Sequence, residues 1–221
     1  MTFDLSMAAS AVEICAAGIV LTGVWLAIGR SLDRAVGVFA IQAALVGIVA
    51  LTVGLATGAP HLIVGGLLAI GVRAAVVPLV LAEILRDSPV RRETDPYLGR
   101  GGSLIAAIAI VFVGVAGSRE AGLASPLGAT GALPAAISTV LLGLLLMTTR
   151  RKSVSIVIGL LVFDDGIALA ALSLTYGMPL VIELGIAFDL LILLVVVRVY
   201  ARRMLATFGS LSTEWLRDLR G

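Results

Sequence analysis

A helix needs about 20 apolar residues to cross the roughly 30 Å hydrocarbon core of a bilayer. Most of this 221-residue chain is divided into runs of that kind. Seven spans are expected, at about 8–29, 35–57, 62–85, 102–117, 134–149, 153–175 and 179–200. The fourth and fifth are short and need flanking residues to reach across. With 60% hydrophobic and 14% charged residues, against about 45–50% and about 25% in soluble domains, the chain has too little polar surface to cover a globule in water. The expectation is an all-α, polytopic transmembrane bundle, and a water-soluble enzyme is excluded.

The basic residues orient it. The loops after spans 1, 3 and 5, with the C-terminal tail, hold Arg30, Arg34, Arg86, Arg91, Arg92, Arg100, Arg150, Arg151, Lys152, Arg198, Arg202, Arg203, Arg217 and Arg220. The opposite side holds Arg119, and Arg73 lies inside a span. By the positive-inside rule the N-terminus is expected outside and the C-terminus in the cytoplasm. A wrong helix count would scramble this alternation. The first run is read as a span rather than a cleaved signal, since Met1-Thr2-Phe3-Asp4 carries an acid and no base.

Rare residues narrow the chemistry. Cys15 and His61 are the only cysteine and histidine, and Lys152 is the only lysine. No cysteine or mixed cysteine–histidine metal cage, iron–sulfur cluster, disulfide framework or intramembrane Schiff base is expected. Basic patches with interleaved aromatics are absent, which argues against nucleic acid as a partner. No phosphate-loop, nucleophile-elbow or zinc-protease motif occurs. His61 reads as a solvated residue at the outer end of span 3, Cys15 as a packing residue, and Gly65 and Gly66 as points of close helix contact.

Little lies outside the spans. The stretch 86–101 is a polar cytoplasmic loop with Pro89 and Pro96, and 118–133 is an outer loop rich in Gly, Ala and Ser. From about Thr207 an amphipathic helix is expected, capped by Ser212 or Thr213, with Trp215, Leu216 and Leu219 on its apolar face. It would lie on the membrane surface or dock on a partner. The whole chain, 1–221, reads as one integral-membrane domain.

A charge at the centre of a spanning helix costs about 2.5–3.5 kcal/mol on insertion scales, so the exceptions carry the functional reading. Arg73 sits near the midpoint of span 3, with Pro78, a kink-favouring residue, five positions on. Asp164 and Asp165 are central to span 6 and Asp189 to span 7. Glu183 and Glu13 lie nearer the outer face. Twelve strongly apolar residues in span 6 contribute about −5 kcal/mol, and two central aspartates oppose them by about +6. That helix cannot face lipid on all sides with both acids ionised. Either they are neutral, or they face protein, water or Arg73. Two roles fit: a static ion-pair network that fixes helix packing, or a proton relay. Closely spaced carboxyls in low dielectric cannot all ionise, so an arginine moving between acids could gate proton uptake and release.

The run from Arg150-Arg151-Lys152 through Gly159, Asp164-Asp165-Gly166-Ile167, Gly177-Met178-Pro179 and Glu183-Leu184-Gly185 to Asp189 resembles component E of the membrane-bound group 4 nickel-iron hydrogenases, formate hydrogenlyase-like complexes included. Leu216-Arg217-Asp218-Leu219-Arg220-Gly221 at the end and Arg73-Ala74-Ala75-Val76-Val77-Pro78 in span 3 fit the same family. Residues 134–206 also look like the three-helix K subunit of respiratory complex I and the C subunit of Mrp-type antiporters. On that likeness 8–133 holds four N-terminal spans and 207–221 a cytoplasmic tail. The second-helix glutamate of those subunits falls at Leu161, one turn before Asp164, and the third-helix glutamate at or near Asp189. Component E usually shows Glu-Asn at 164–165 and lysine at 73. The permanently charged Arg73 is therefore an electrostatic partner rather than a proton carrier.

The resemblance implies a non-catalytic membrane subunit of a bacterial or archaeal cytoplasmic-membrane complex. It would lie between a hydrogenase-like peripheral arm and antiporter-like subunits. The nickel-iron centre and iron–sulfur clusters would belong to those partners, with no cofactor in this chain. Asp164, Asp165, Asp189, Glu183 and Glu13 would contribute to a hydrophilic axis coupling redox chemistry to proton or sodium movement. The alternatives are a stand-alone proton-coupled small-molecule transporter and a purely structural scaffold.

Overall fold

The computed structural model describes residues 5–86, 97–120 and 129–175. Helix α1 is Leu5–Ile28 and α2 is Leu32–Thr57. The third span is composite: α3, Pro60–Leu68, runs into a π-helical segment, Ala69–Val76, and continues as α4, Val77–Arg86. Helices α5, Arg100–Glu120, α6, Ala132–Thr149, and α7, Ser153–Thr175, follow. Among the described residues these form six helices long and apolar enough to cross a membrane. The expected seventh span, 179–200, and the tail from 207 lie outside the described residues. The fourth span, expected at 102–117, runs from Arg100 to Glu120, because glycines and serine at either end extend the helix past the strictly apolar run.

Helical winding follows from runs of Ala, Leu, Val and Ile, and it satisfies the backbone polar groups internally, as a bilayer demands. Turns are correspondingly tight. Gly58 ends α2 in the left-handed conformation, at φ 67°, and its N–H reaches Gly54 O. Pro60 then starts α3, where no N–H is needed.

Pro78 does not simply break its helix. It sits in the first turn of α4, where its missing N–H is tolerated. The chain before it widens into π winding, with Val77 N–H bonded five residues back to Val72 O. Arg73 lies inside this wide stretch.

The helices alternate in direction. α2 packs on α1, the third span and α7; α6 packs on α7, α5 and α1. The α6–α7 seam is the closest. A Cβ on Gly143 would fall 2.5–2.7 Å from atoms of Phe163, and one on Gly166 within 2.6 Å of Val140 N. Only glycine admits these backbones so near, which fixes α7, and with it Asp164 and Asp165, against α6.

One end of the bundle is basic. Arg150 is not a solvated loop residue, as its place in a basic turn suggests. It is buried, and its Nη2 donates to Leu26 O at 2.9 Å and Ala27 O at 2.6 Å. A guanidinium here satisfies carbonyls that the end of α1 leaves open and opposes the negative end of its dipole. Arg151 stacks on the Tyr97 ring at 4.3 Å, and Tyr97 N–H bonds Thr149 O. Arg150→Ala should lower stability by about 1.5–3 kcal/mol, the worth of charge-assisted bonds. Thermal unfolding in detergent and faster proteolysis at Gly29–Ser31 would register it, with Arg150→Lys recovering only part.

Two large apolar clusters, with a smaller one of Ala27, Ala107 and Leu142, make the core among the described residues. The one toward the basic end joins Leu26, Phe39, Ala43, Val77, Leu81, Leu146, Ile158 and Val162. The other joins Val12, Ile19, Val46, Val53, Leu62, Ala136, Leu169 and Leu172. On α1, the third span, α6 and α7 the sequence passes from one of the two large clusters to the other across an interval that holds a polar side chain: Thr22, Arg73, Thr139, and Asp164 with Asp165. On α2, Gln42 stands next to Ala43, the last residue of that helix in the basic-end cluster. Outward faces carry Ile14, Leu21, Ile48, Leu79, Ile105 and Phe112 exposed, as lipid or a partner requires.

Candidate functional site: a buried arginine–aspartate cluster

Arg73 crosses from the third span to α7 and grips two acids at once. Its Nη1 donates to Asp165 Oδ1 at 3.0 Å and its Nη2 to Asp164 Oδ2. The three side chains are 92 and 91 residues apart in sequence. Asp165 is 1% exposed and Arg73 8%, while the Asp164 side chain keeps about a quarter of its surface. A guanidinium is suited to holding two acids, because its planar fork presents parallel donors that a lysine ammonium cannot.

The backbone explains the reach. The third span packs along α2, so only a long side chain meets α7. Asp164 and Asp165 are adjacent on their helix and point about 100° apart, yet one fork serves both because Arg73 enters between them. Asp165 Oδ2 is buried without a hydrogen-bond partner among the described residues. One guanidinium facing two carboxyls leaves an excess negative charge in an apolar surround, unless the pair also holds a proton.

Other expected residues fall elsewhere. Glu13 is exposed on α1 in the half of the bundle away from the basic end, where its Oε1 accepts from Thr130 Oγ1 at 3.3 Å. It is not part of the cluster. Asp189 and Glu183 lie outside the described residues. His61 is the second residue of α3 and half-buried, and Cys15 packs half-buried against the Val12–Leu172 cluster. Gly66 meets Gly47 across the α2–α3 contact, as a close-packing residue would. Among the described residues no group of three or more His, Cys, Asp or Glu is placed to hold a metal ion.

Weighing charges alone passes over Gln42, the only glutamine of the chain. It is fully buried in α2 and accepts at Oε1 from Thr22 Oγ1, 3.1 Å away. Its signal was present as the one amide in a long apolar run.

No family model and no solved structure matches the chain. An uncharacterized protein of Mycobacterium tuberculosis (strain ATCC 25618 / H37Rv), Rv0085, is 33% identical over 210 residues, covering 95% of this chain and 96% of that one. Hydrogenase-4 component E of Escherichia coli (strain K12) is 24% identical over 201 residues, 91% of this chain and 93% of that one. The Shigella flexneri protein of the same name is equally similar. These likenesses run nearly end to end and so take in the composite third span and α7 together. By its 33% identity over nearly its whole length, the chain belongs to the family of the Mycobacterium tuberculosis protein Rv0085, and it bears a more distant, whole-length likeness to hydrogenase-4 component E.

Proposed function

We propose that the chain is a membrane subunit of a hydrogenase-4-like, complex I-like oxidoreductase complex, and that its buried acids help couple redox chemistry to ion movement. The observation that carries the reading is the Arg73–Asp164–Asp165 cluster, held at mid-bundle between two apolar clusters in a chain similar end to end to a hydrogenase-4 component. Asp164, more open, would exchange protons with its surroundings, and Asp165, closed, would hold them. Arg73 would shift its grip as the charge changes. Asp189 in a seventh span would continue the route, and Glu183 and Glu13 would serve its outer side. The coupling ion is taken as the proton, with sodium as the second choice.

In this reading the N-terminus is outside and the C-terminus cytoplasmic in a bacterial or archaeal cytoplasmic membrane. Residues 8–133 form the N-terminal spans and 134–206 a unit like the complex I K subunit. Electron-carrying centres belong to hydrogenase-like partners, and antiporter-like subunits lie alongside in the membrane. A scaffold reading is favoured by one feature: Arg73 holds both acids simultaneously, as a brace would.

Affinity purification of the tagged chain from native membranes in mild detergent tests membership. Hydrogenase-like and antiporter-like subunits should co-purify in fixed proportion. A homogeneous lone protein would instead support a stand-alone transporter.

A further inference from the structure

Gln42 and Thr22 stand at the same level as the ion cluster. On the α6–α7 seam Gly143 meets Phe163, which brings Leu142 level with Asp164. Gly23 of α1 faces both Leu142 and Gln42 Oε1. On the other side of α2, Gly47 meets Gly66 and Ile70. Since α2 and the third span run in opposite directions, five residues back to Gln42 match five onward from the middle of that contact to Arg73, each about 7–8 Å. Thr22, Gln42, Arg73, Asp164 and Asp165 therefore occupy one slice of the bundle, close to the level where the two larger apolar clusters part.

Two polar atoms in this slice have no hydrogen-bond partner among the described residues: Asp165 Oδ2 and Gln42 Nε2, both fully enclosed. They are of opposite kind, an acceptor and a donor, on helices in direct contact. An unsatisfied buried polar atom costs about 1–3 kcal/mol, and both remain where apolar residues fill the positions around them. Thr22 does not partner the amide nitrogen here, because its Oγ1 faces the other end of the amide, donating toward Gln42 Oε1 at 3.1 Å, with Gly18 O and Ile19 O also in reach at 3.0 and 2.8 Å. A polar site between two to four hydrogen-bonding groups is where interior water resides.

We propose that Gln42 and Thr22 extend the arginine–aspartate cluster into one polar layer across α1, α2, the third span and α7, and that internal water joins Asp165 Oδ2 to the Gln42 amide. An amide does not itself carry protons. Gln42 is a positioning residue: it holds the water that accepts from or returns a proton to Asp165. The water site stands on the geometry, while its part in proton movement rests on the coupling function proposed above.

The test uses the whole complex. A cryo-electron microscopy map fine enough to show water should place density within hydrogen-bonding distance of both Asp165 and Gln42. Gln42→Leu should lose that density, and Gln42→Asn should keep it. Direct protein contacts to both atoms, with no density between them, overturn the site. In vesicles Gln42→Leu should slow proton movement about tenfold, the kinetic equivalent of one lost hydrogen bond, with Gln42→Asn partly restoring it. Wild-type rates in Gln42→Leu, with Asp165→Asn inactive, overturn the positioning role and leave the acids' role standing. Normal rates in Asp165→Asn remove the coupling function instead, and the map alone then decides the water site.

Discussion

Arg73→Met is expected to destabilise the protein by about 3–5 kcal/mol, the penalty for stripping a buried ion pair of one partner. The reason is local. Asp165 is 1% exposed and cannot turn to solvent, and its neighbour Asp164 loses the same counter-charge. Methionine fills the volume but donates nothing. The cost should therefore fall when the acids go too: Arg73→Met combined with Asp164→Leu and Asp165→Leu should recover most of the lost stability, since apolar replacements of a whole buried cluster are often neutral or better. Arg73→Lys keeps the charge but not the fork and should fall between. Thermal unfolding of the purified protein in detergent reads all three. A single Arg73→Met protein as stable as wild type would mean that the ion pairs do not hold α7 to the third span.

The second large effect concerns transport. Asp165→Asn keeps the shape of the side chain and still accepts from Arg73, so the variant should assemble in normal amounts. It cannot bind and release a proton, and coupled proton movement should drop below about a tenth of wild type, more than 1.4 kcal/mol in the governing step. Asp164→Asn should do likewise, because the two acids share one guanidinium and their titrations are linked. Recovery of the complex on affinity resin, compared with the rate of proton movement, separates an assembly defect from a transport defect. A static brace predicts the reverse: Asn, able to bond Arg73, would leave transport untouched.

Much of this organisation was legible in the sequence. Span positions follow from run length, because a bilayer demands a minimum apolar length whatever the partners. The meeting of Arg73 with Asp164 and Asp165 followed from depth and charge, since three ionisable groups at mid-span have few other places to go. Less local features were hidden. The π winding before Pro78 is one, since the apolar run around Arg73 reads as ordinary helix. Arg150 reads as one more basic loop residue, and only the convergence of α1 and α6 turns it inward onto Leu26 O and Ala27 O. Gln42 is neutral and so does not stand out by charge, although an enclosed amide needs partners just as a charge does. The fourth span came out longer than its apolar run, since Gly101, Gly102 and Ser118 are compatible with helix but invisible to a hydropathy count.

The most direct measurement of the central claim is proton uptake by inverted membrane vesicles, driven by the electron donor of the complex, with hydrogen and formate tried in turn. It compares wild type, Asp164→Asn and Asp165→Asn at equal complex content. Wild-type vesicles should acidify inside, and a protonophore should abolish the gradient; both variants should assemble and fail to acidify. If both Asn variants acidify at the wild-type rate, the cluster is a structural brace and the acids move no protons.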